Sequence, residues 1–286
     1  MNFRFMIALS TLTLFTQSAY SRTLLDVPPP CSDYTTQFHL KEGSIAGLLK
    51  QDGIKTEAAL FARGEHHSNG SSHPWKYTAH DQTPLLLKTA GASETVAAYR
   101  LNRHFTARFV PQAEKIKLGD HSYSAMKFVD SPMIQAISQT GANITLPLWQ
   151  IISNPLPTEF KLFAILISNT EALSEFQGHN YLVTTAEVLP EQIDLRIFKR
   201  IELKSPEFVI YDNDSSFQLS LREALRYLQI PIQTFQTWLK QSPQFIAELE
   251  AYTPEIIQAD MTGLLSEAEI ATVIENRRLM IGLFHS

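Results

Sequence analysis

The first half of the chain has short apolar stretches separated by polar ones, and this pattern predicts strands. We expect two or three strands within residues 38–62, broken at the turn signal QDG. The apolar run 83–91 contains three consecutive leucines and predicts a buried strand. Two more strands are expected within residues 108–132, joined by a hairpin turn near Gly119-Asp120.

One helix is predicted between these strands. Ser93 suits its N-cap, and Glu94 would then lie in the first turn, where an acidic side chain is favourable. The apolar face of this helix would consist of Val96, Tyr99, Leu101 and Phe105.

The second half of the chain is predicted to be mainly helical, with a strand insert. Helices are expected at residues 134–139, 146–152, 159–168, 221–228, 232–239, 244–252 and 266–283. Strands are expected at residues 180–188, 193–203 and 207–214. Along the chain the order is strands, one helix, further strands and then a mainly helical half. This order predicts an α+β fold in two lobes, residues 38–130 and 131–286.

The N-terminus has the layout of a secretory signal peptide. Arg4 supplies the positive charge, residues 5–15 are apolar, and Ala19 and Ser21 are the small residues before a cleavage site. An uncleaved anchor or a buried helix is the alternative. We expect cleavage after Ser21, a proline-rich linker at residues 22–37, and export to the periplasm or the medium.

Composition narrows the class of protein further. The net charge of −5 disfavours a broad nucleic-acid-binding surface. Cys31 is the only cysteine, so no intramolecular disulfide can form, which is typical of a bacterial rather than a eukaryotic export. After residue 21 no stretch has the roughly 18 apolar residues that span a bilayer, so we expect no stable membrane span once the signal peptide is removed.

Three polar pieces stand in the order that a phosphoryl-transfer enzyme needs. Lys88 ends the predicted strand before the helix that carries Glu94, Asn180 ends a polar loop, and Asp212 and Asp214 end a later apolar strand. A lysine there can reach ATP phosphates, and carboxylate and amide oxygens suit magnesium. Taken singly, each piece also has a simpler explanation. Lys88 could be a solvated lysine and Glu94 an acid of the first helical turn, while Asn180 and the aspartates could belong to turns.

Several motifs resemble those of atypical kinase-like proteins, a group that includes HipA-type toxins, CotH-type spore-coat kinases and phosphatidylinositol kinases. The matching segments are PLLLKTAGASETVAAYRLNRHF, AMKFVDSP, FKLFAILISNTEALSEFQGHNYLV and FVIYDNDSSF, within about residues 45–285. The resemblance implies a kinase-like fold with a small lobe of antiparallel strands and one helix, and a larger, mainly helical lobe. It also implies ATP and Mg²⁺ or Mn²⁺ as cofactors.

The resemblance also implies roles for individual residues. Lys88 would bind the ATP phosphates and pair with Glu94. Asn180, Asp212 and the nearby Asp214 would bind the metal. The hinge residues Phe128, Val129 and Asp130 would lie against the adenine.

The chain departs from the family pattern at the catalytic acid. The stretch 166–183 contains no aspartate, although the family has one in its catalytic loop. Glu171 follows Asn169-Thr170, as the family's aspartate follows its asparagine, whereas Glu175 has the five-residue spacing to Asn180. No clear glycine-rich nucleotide loop is visible, and the gap between Asn180 and Asp212 predicts an inserted hairpin.

Three hypotheses follow from these observations. The protein is an exported phosphotransferase that moves phosphate or AMP to a protein or small-molecule hydroxyl, or it is a pseudokinase that only binds. The third is a metal-binding protein that uses a polar loop at residues 64–82. That loop contains His66, His67, His73 and His80, but their spacing matches no zinc motif.

Overall fold

A computed structural model of the protein describes residues 40, 43–66, 74–174, 181–197 and 200–286. Within them the chain has an α+β fold, which confirms the α+β part of the predicted fold class. The helices are α1 (Ile45–Gln51), α2 (Glu57–Arg63), α3 (Ala92–Asn102), α4 (Leu148–Ile151), α5 (Thr158–Leu166), α6 (Leu221–Tyr227), α7 (Ile232–Gln241), α8 (Pro243–Ala251), α9 (Pro254–Met261) and α10 (Glu267–His285). The strands are β1 (Glu65–His66), β2 (Trp75–Thr78), β3 (Pro84–Lys88), β4 (Ala113–Leu118), β5 (His121–Lys127), β6 (Met133–Ile137), β7 (Asn143–Pro147), β8 (Tyr181–Thr184), β9 (Gln192–Asp194) and β10 (Glu207–Ile210).

A five-stranded antiparallel sheet forms the N-terminal part, in the order β1-β2-β3-β5-β4. Its central strand β3 has three consecutive buried leucines because side chains on both of its faces are covered. Leu118 pairs with His121 across the β4–β5 turn, and Gly119 has a φ of +62°. The predicted hairpin is therefore confirmed.

Helices α1 and α2 correct the prediction of strands within residues 38–62. Ser44 and Thr56 cap them by accepting hydrogen bonds from backbone N–H groups of the first turns. Ile45, Leu48 and Leu49 have the helical spacing i, i+3, i+4 and are buried in the core on one face of the sheet. Gly53, expected in a turn between strands, has a φ of +74° just after α1.

Helix α3 lies between β3 and β4 in sequence and contacts both β4 and β5. It begins at Ala92, with Gly91 rather than Ser93 at the N-cap. Val96 packs with Leu86 and Met126 of the sheet, while Ala97, Ala98 and Leu101 belong to the large core of the C-terminal part. The helix therefore contacts both the sheet residues Leu86 and Met126 and the large core of the C-terminal part.

Two small sheets follow, and they correct one predicted helix and the start of another. Residues 134–139 and 146–152 were expected to be helical, but β6 and β7 pair as an antiparallel hairpin, and only α4 is helical there. Burial in β6 alternates strictly over its first four residues, which is the period of a half-buried strand. β9 pairs in parallel with β6, and β8 forms a separate antiparallel pair with β10.

The remaining helices pack around one large core that contains α5 and α10. Capping boxes begin α6 at Ser220 and α10 at Ser266, and proline begins α8 and α9. The helix α9 was not predicted, and among the described residues of the predicted strand 193–203 only β9 is regular. None of the described helices combines the length and apolar character needed to cross a bilayer.

Candidate functional site

Lys88 is the last residue of β3, and the sheet buries it. It pairs in register with Ser124 of β5, and only 3% of its surface is exposed. A lysine that is almost fully buried needs a partner for its ammonium group, because removing a charge from water without compensation is costly.

Two carboxylates more than 120 residues away along the chain provide this compensation. Lys88 Nζ donates a hydrogen bond of 2.8 Å to Asp212 Oδ1 and one of 3.1 Å to Asp214 Oδ1. The buried apolar strand β10 ends two residues before Asp212 and delivers it to this point. The sequence analysis expected Lys88 and Asp212 in one site with Asp214 nearby, and the structure brings all three side chains together.

The two carboxylates differ in how readily they bind a proton. Burial raises the pKa of Asp214 to about 6, repulsion from Asp212 acts in the same direction, and attraction to Lys88 opposes both. Burial also acts to raise the pKa of Asp212, but the charge of Lys88 and hydrogen bonds from Lys88 and Asp214 outweigh it and lower that pKa. When both are ionised, one ammonium faces two negative charges.

Gly91 fits closely against Asp214. It has a φ of +56°, and a Cβ atom placed on it would come within 2.0 Å of Asp214 Oδ1. This contact sets the Asp214 carboxylate beside the first turn of α3, where the backbone N–H groups favour a negative charge. Sequence reasoning missed this role, although a glycine directly before a helix is a signal that could have indicated it.

The predicted ion pair between Lys88 and Glu94 is not formed here. Glu94 lies half-buried in the first turn of α3, and none of the ion pairs among the described residues includes it. Lys88 makes both of its ion pairs with the aspartates instead.

Behind the aspartates, the turn after α5 supports residues 212–217, which we call the acid loop. Asn169 Nδ2 donates to the backbone carbonyl oxygen of Asp212 at 2.7 Å and to Asn213 Oδ1 at 3.2 Å. Glu171 lies half-buried two residues after Asn169. Of the two candidate acids, Glu171 is therefore two residues away in the chain from the side chain that binds the acid loop, whereas Glu175 and the predicted metal ligand Asn180 lie outside the described residues.

The predicted hinge lies beside the strand that leads to the acid loop. Val129 packs against Val209 of β10, with Leu182 and Tyr211 at the edge of this cluster, and the rings of Phe128 and Tyr211 are 6.1 Å apart. Asp130 is exposed, but its charge adds to the effect of burial in raising the pKa of Tyr211. Tyr211 was not predicted, although its position directly before Asp212 could have indicated it.

The histidine-rich segment 64–82 is only partly described, and it contains β1 and β2 where a loop was predicted. His67 and His73 lie outside the described residues, and His66 packs edge-on against Trp75. His80 Nδ1 lies 2.6 Å from Asp52 Oδ1. In the described part of the chain, no three histidine, cysteine or acidic side chains are grouped so that they could hold a metal ion.

Asp212 and Asp214 remain as a pair of oxygen ligands. Because both Oδ1 atoms lie within 3.1 Å of one nitrogen, they are close enough to share a cation. Mg²⁺ is commonly held by one or two carboxylates together with water and substrate phosphates, so this pair fits such a cation.

Comparison of the chain with protein-family models, with curated proteins and with solved structures gave no match. The resemblance to kinase-like proteins therefore stays a prediction from the sequence motifs.

Proposed function

We propose that this protein has a two-lobed, kinase-like fold and binds a nucleoside triphosphate together with Mg²⁺ or Mn²⁺ beside Lys88, Asp212 and Asp214. The observation that carries the proposal is the meeting of these three side chains at distances of 2.8 and 3.1 Å. A buried lysine and two partly exposed carboxylates at one point are the groups that phosphate and a divalent cation require.

The charges of the site favour a further cation. With both carboxylates ionised, Lys88 leaves one negative charge uncompensated, and a divalent ion between Asp212 and Asp214 would offset it. Lys88 would then be released from one or both aspartates and could pair with phosphate oxygens. When bound, the metal ion would supply charge stabilisation for the phosphates.

Glu171 is the described residue that could orient an acceptor hydroxyl or take its proton. It lies two residues after Asn169, whose side chain binds the acid loop. Because a glutamate is one methylene longer than the family's aspartate, its carboxylate would be displaced by about 1 Å, and a displacement of that size can cost on the order of 100-fold in rate. We propose transfer of phosphate or AMP to a protein or small-molecule hydroxyl as the reaction.

Binding without catalysis is the second candidate. The observation in its favour is the absence of any aspartate from the stretch 166–183, which holds the predicted catalytic loop. An exported protein would also meet little ATP outside cells, unless it enters a host cell.

Thermal unfolding tests the binding step. At a ligand concentration of about 100 times Kd, ATP with MgCl₂ or MnCl₂ should stabilise the protein by about 2.7 kcal/mol, which corresponds to a shift in Tm of several degrees. Asp212→Asn should abolish this shift, whereas Asp120→Asn in the exposed β4–β5 turn should retain it. If millimolar ATP and metal leave Tm of the wild type unchanged, the proposal is wrong.

Labelled ATP separates catalysis from binding. Transfer from γ-labelled ATP indicates a kinase, and transfer from α-labelled ATP indicates AMP transfer. Glu171→Gln should stop the transfer while the thermal shift persists, and Glu175→Gln is the comparison. A wild type that binds ATP but transfers neither label would be a pseudokinase.

A further inference from the structure

The polar side chains behind the acid loop are almost completely buried. Asn169 and Asn276 are each 1% exposed, although asparagine is usually found at the surface. Three further polar residues in the same region are also at most 1% exposed: Ser168, Asn213 and Ser216. Most buried polar side chains are hydrogen-bonded, and their partners show which segments they hold in place.

Asn169 fixes the start of the acid loop. Its Nδ2 group holds the carbonyl oxygen of Asp212 and the side chain of Asn213, as described above. Its Oδ1 atom accepts a hydrogen bond of 3.1 Å from the backbone N–H of Ala172. One side chain thus ties the backbone of Asp212 to the turn that contains Glu171.

Asn276 fixes the region just after the acid loop from the C-terminal helix α10. Its Oδ1 accepts a hydrogen bond of 2.6 Å from the N–H of Leu221, and its Nδ2 donates to the carbonyl oxygens of Leu166 and Leu219, each at 3.3 Å. Ser168 Oγ adds to this by accepting a hydrogen bond of 3.2 Å from the N–H of Leu219. Helices α5, α6 and α10 are therefore joined at the base of the loop.

The backbone is strained where these bonds meet. Phe217 has a φ of +70° and Ser168 a φ of +52°, in the left-handed region that is unfavourable for residues other than glycine. A hydrogen bond of 2.6 Å from the Phe217 N–H to the Ile167 carbonyl oxygen connects the two segments. Such strain persists where the surrounding structure fixes the backbone, and it is concentrated at functional sites.

Besides the strained backbone, two buried polar atoms make the conformation of the acid loop less favourable. Among the described residues, Asn213 Nδ2 and Ser216 Oγ are buried without a hydrogen-bond partner. Leaving a buried polar atom unpaired is unfavourable. Together with the strain, this indicates that the loop conformation is not the one that stability alone would select.

We infer that Asn169 and Asn276 are positioning residues that hold Asp212 and Asp214 at the separation at which the two carboxylates bind one divalent cation. The inference rests on the proposed function, because it concerns the same site. It extends the site to α10, which contributes no side chain to the cluster of Lys88 and the aspartates.

The affinity for Mn²⁺, measured with and without ATP on the purified protein, tests this. Removing residues that orient metal ligands typically costs roughly 10- to 100-fold in affinity, and we expect a loss of that size in Asn169→Ala and Asn276→Ala. Asn102→Ala is the matched control. Asn102 is also 1% exposed, accepts hydrogen bonds from Phe109 and Val110 and donates one to Ala107, but it lies at the end of α3 remote from Asp214.

The control separates positioning from stability. All three variants should lower Tm, but only Asn169→Ala and Asn276→Ala should weaken Mn²⁺ binding. Should the alanine variants not fold, the serine variants at the same three positions replace them, since serine keeps one hydrogen-bonding oxygen. Equal loss of affinity in the control, or unchanged affinity in both test variants, overturns the inference alone. A wild type that binds no Mn²⁺, with or without ATP, overturns the proposed function as well.

Discussion

The backbone of Gly91 lies directly against the side chain of Asp214. The two residues are 123 positions apart, yet a Cβ atom at position 91 would come within 2.0 Å of Asp214 Oδ1 and 2.7 Å of its Cα. The N-terminus of α3 and the acid loop are thus packed so closely that only glycine fits.

Gly91→Ala should therefore destabilise the protein and disturb the site. The positive φ and the collision together predict a loss of about 2–4 kcal/mol in the free energy of unfolding. Because the Asp214 carboxylate has to move, Mn²⁺ affinity should fall as well. Urea unfolding and Mn²⁺ titration measure the two effects.

Gly53→Ala is the control for this change. Gly53 has a φ of +74°, but a Cβ atom there would meet no other atom within 4 Å. Gly53→Ala should therefore lower the free energy of unfolding by about 1–2 kcal/mol, through the unfavourable positive φ alone. It should leave Mn²⁺ binding unchanged. Equal effects of the two substitutions would show that the contact with Asp214 has no energetic consequence.

Asp260 of α9 binds the residues that directly follow the C-terminal end of α3. This carboxylate is almost fully buried, accepts a hydrogen bond of 3.0 Å from Tyr252, and lies 2.6 Å from His104 Nε2 and 3.5 Å from a guanidinium nitrogen of Arg103. Asp260→Asn should lower the free energy of unfolding by roughly 1–3 kcal/mol, because it removes a buried charge from three partners. Chemical denaturation provides the measurement.

An exposed ion pair serves as the control for Asp260. Asp194 accepts two hydrogen bonds from the Arg196 side chain and one from its backbone N–H, but this arginine is half-exposed. Such pairs contribute little, so Asp194→Asn should leave the unfolding curve nearly unchanged. If both substitutions had the same effect, the contacts of Asp260 would not stabilise the packing of α3 against α9.

The sequence predicted those parts of the fold whose signals are local. Three consecutive leucines before Lys88 indicated a buried strand, and Gly119-Asp120 indicated a hairpin, and both are found. The helical spacing of Ile45, Leu48 and Leu49 was also a local signal, but it was interpreted as strands.

The details of the site depend on contacts that no local pattern contains. The order of the motifs predicted that Lys88 would meet Asp212, yet its partners are both aspartates and not Glu94. Gly91 and Asn276 have their roles only because residues far away in sequence pack against them. A single sequence cannot indicate such contacts, since no periodicity or spacing records them.

The predicted signal peptide can be tested without the structure, since residues 1–39 lie outside the described part. Expression in a bacterium with an intact export pathway should yield a protein whose first residue is Arg22, as determined by mass spectrometry. Ala19→Arg places a large charged residue in the cleavage site and should abolish processing, whereas Ser32→Arg should not. Export of an uncleaved chain would favour the alternative of an anchor.

Glu207 begins β10 opposite Thr184, and burial raises its pKa to about 7. Its Oε2 atom is buried without a hydrogen-bond partner among the described residues. Because the pKa in the folded protein lies above that of the unfolded chain, the folded protein binds a proton there more tightly. The contribution of Glu207 to stability is therefore fully present below about pH 4.5 and is lost as the pH rises through about 7.

Glu207→Gln removes this titration and should change the pH dependence of stability. At pH 8 the variant should be more stable than the wild type by on the order of 1–3 kcal/mol, because the wild type must keep a poorly solvated carboxylate ionised. At pH 4.5 the two should differ little, since Glu207 is then mainly protonated. Urea unfolding followed by tryptophan fluorescence at both pH values gives the comparison, with the exposed Glu202→Gln as the control that should show no such difference. A variant that is less stable than the wild type by the same amount at both pH values would contradict the raised pKa, because the side chain would then act through packing and not through its charge.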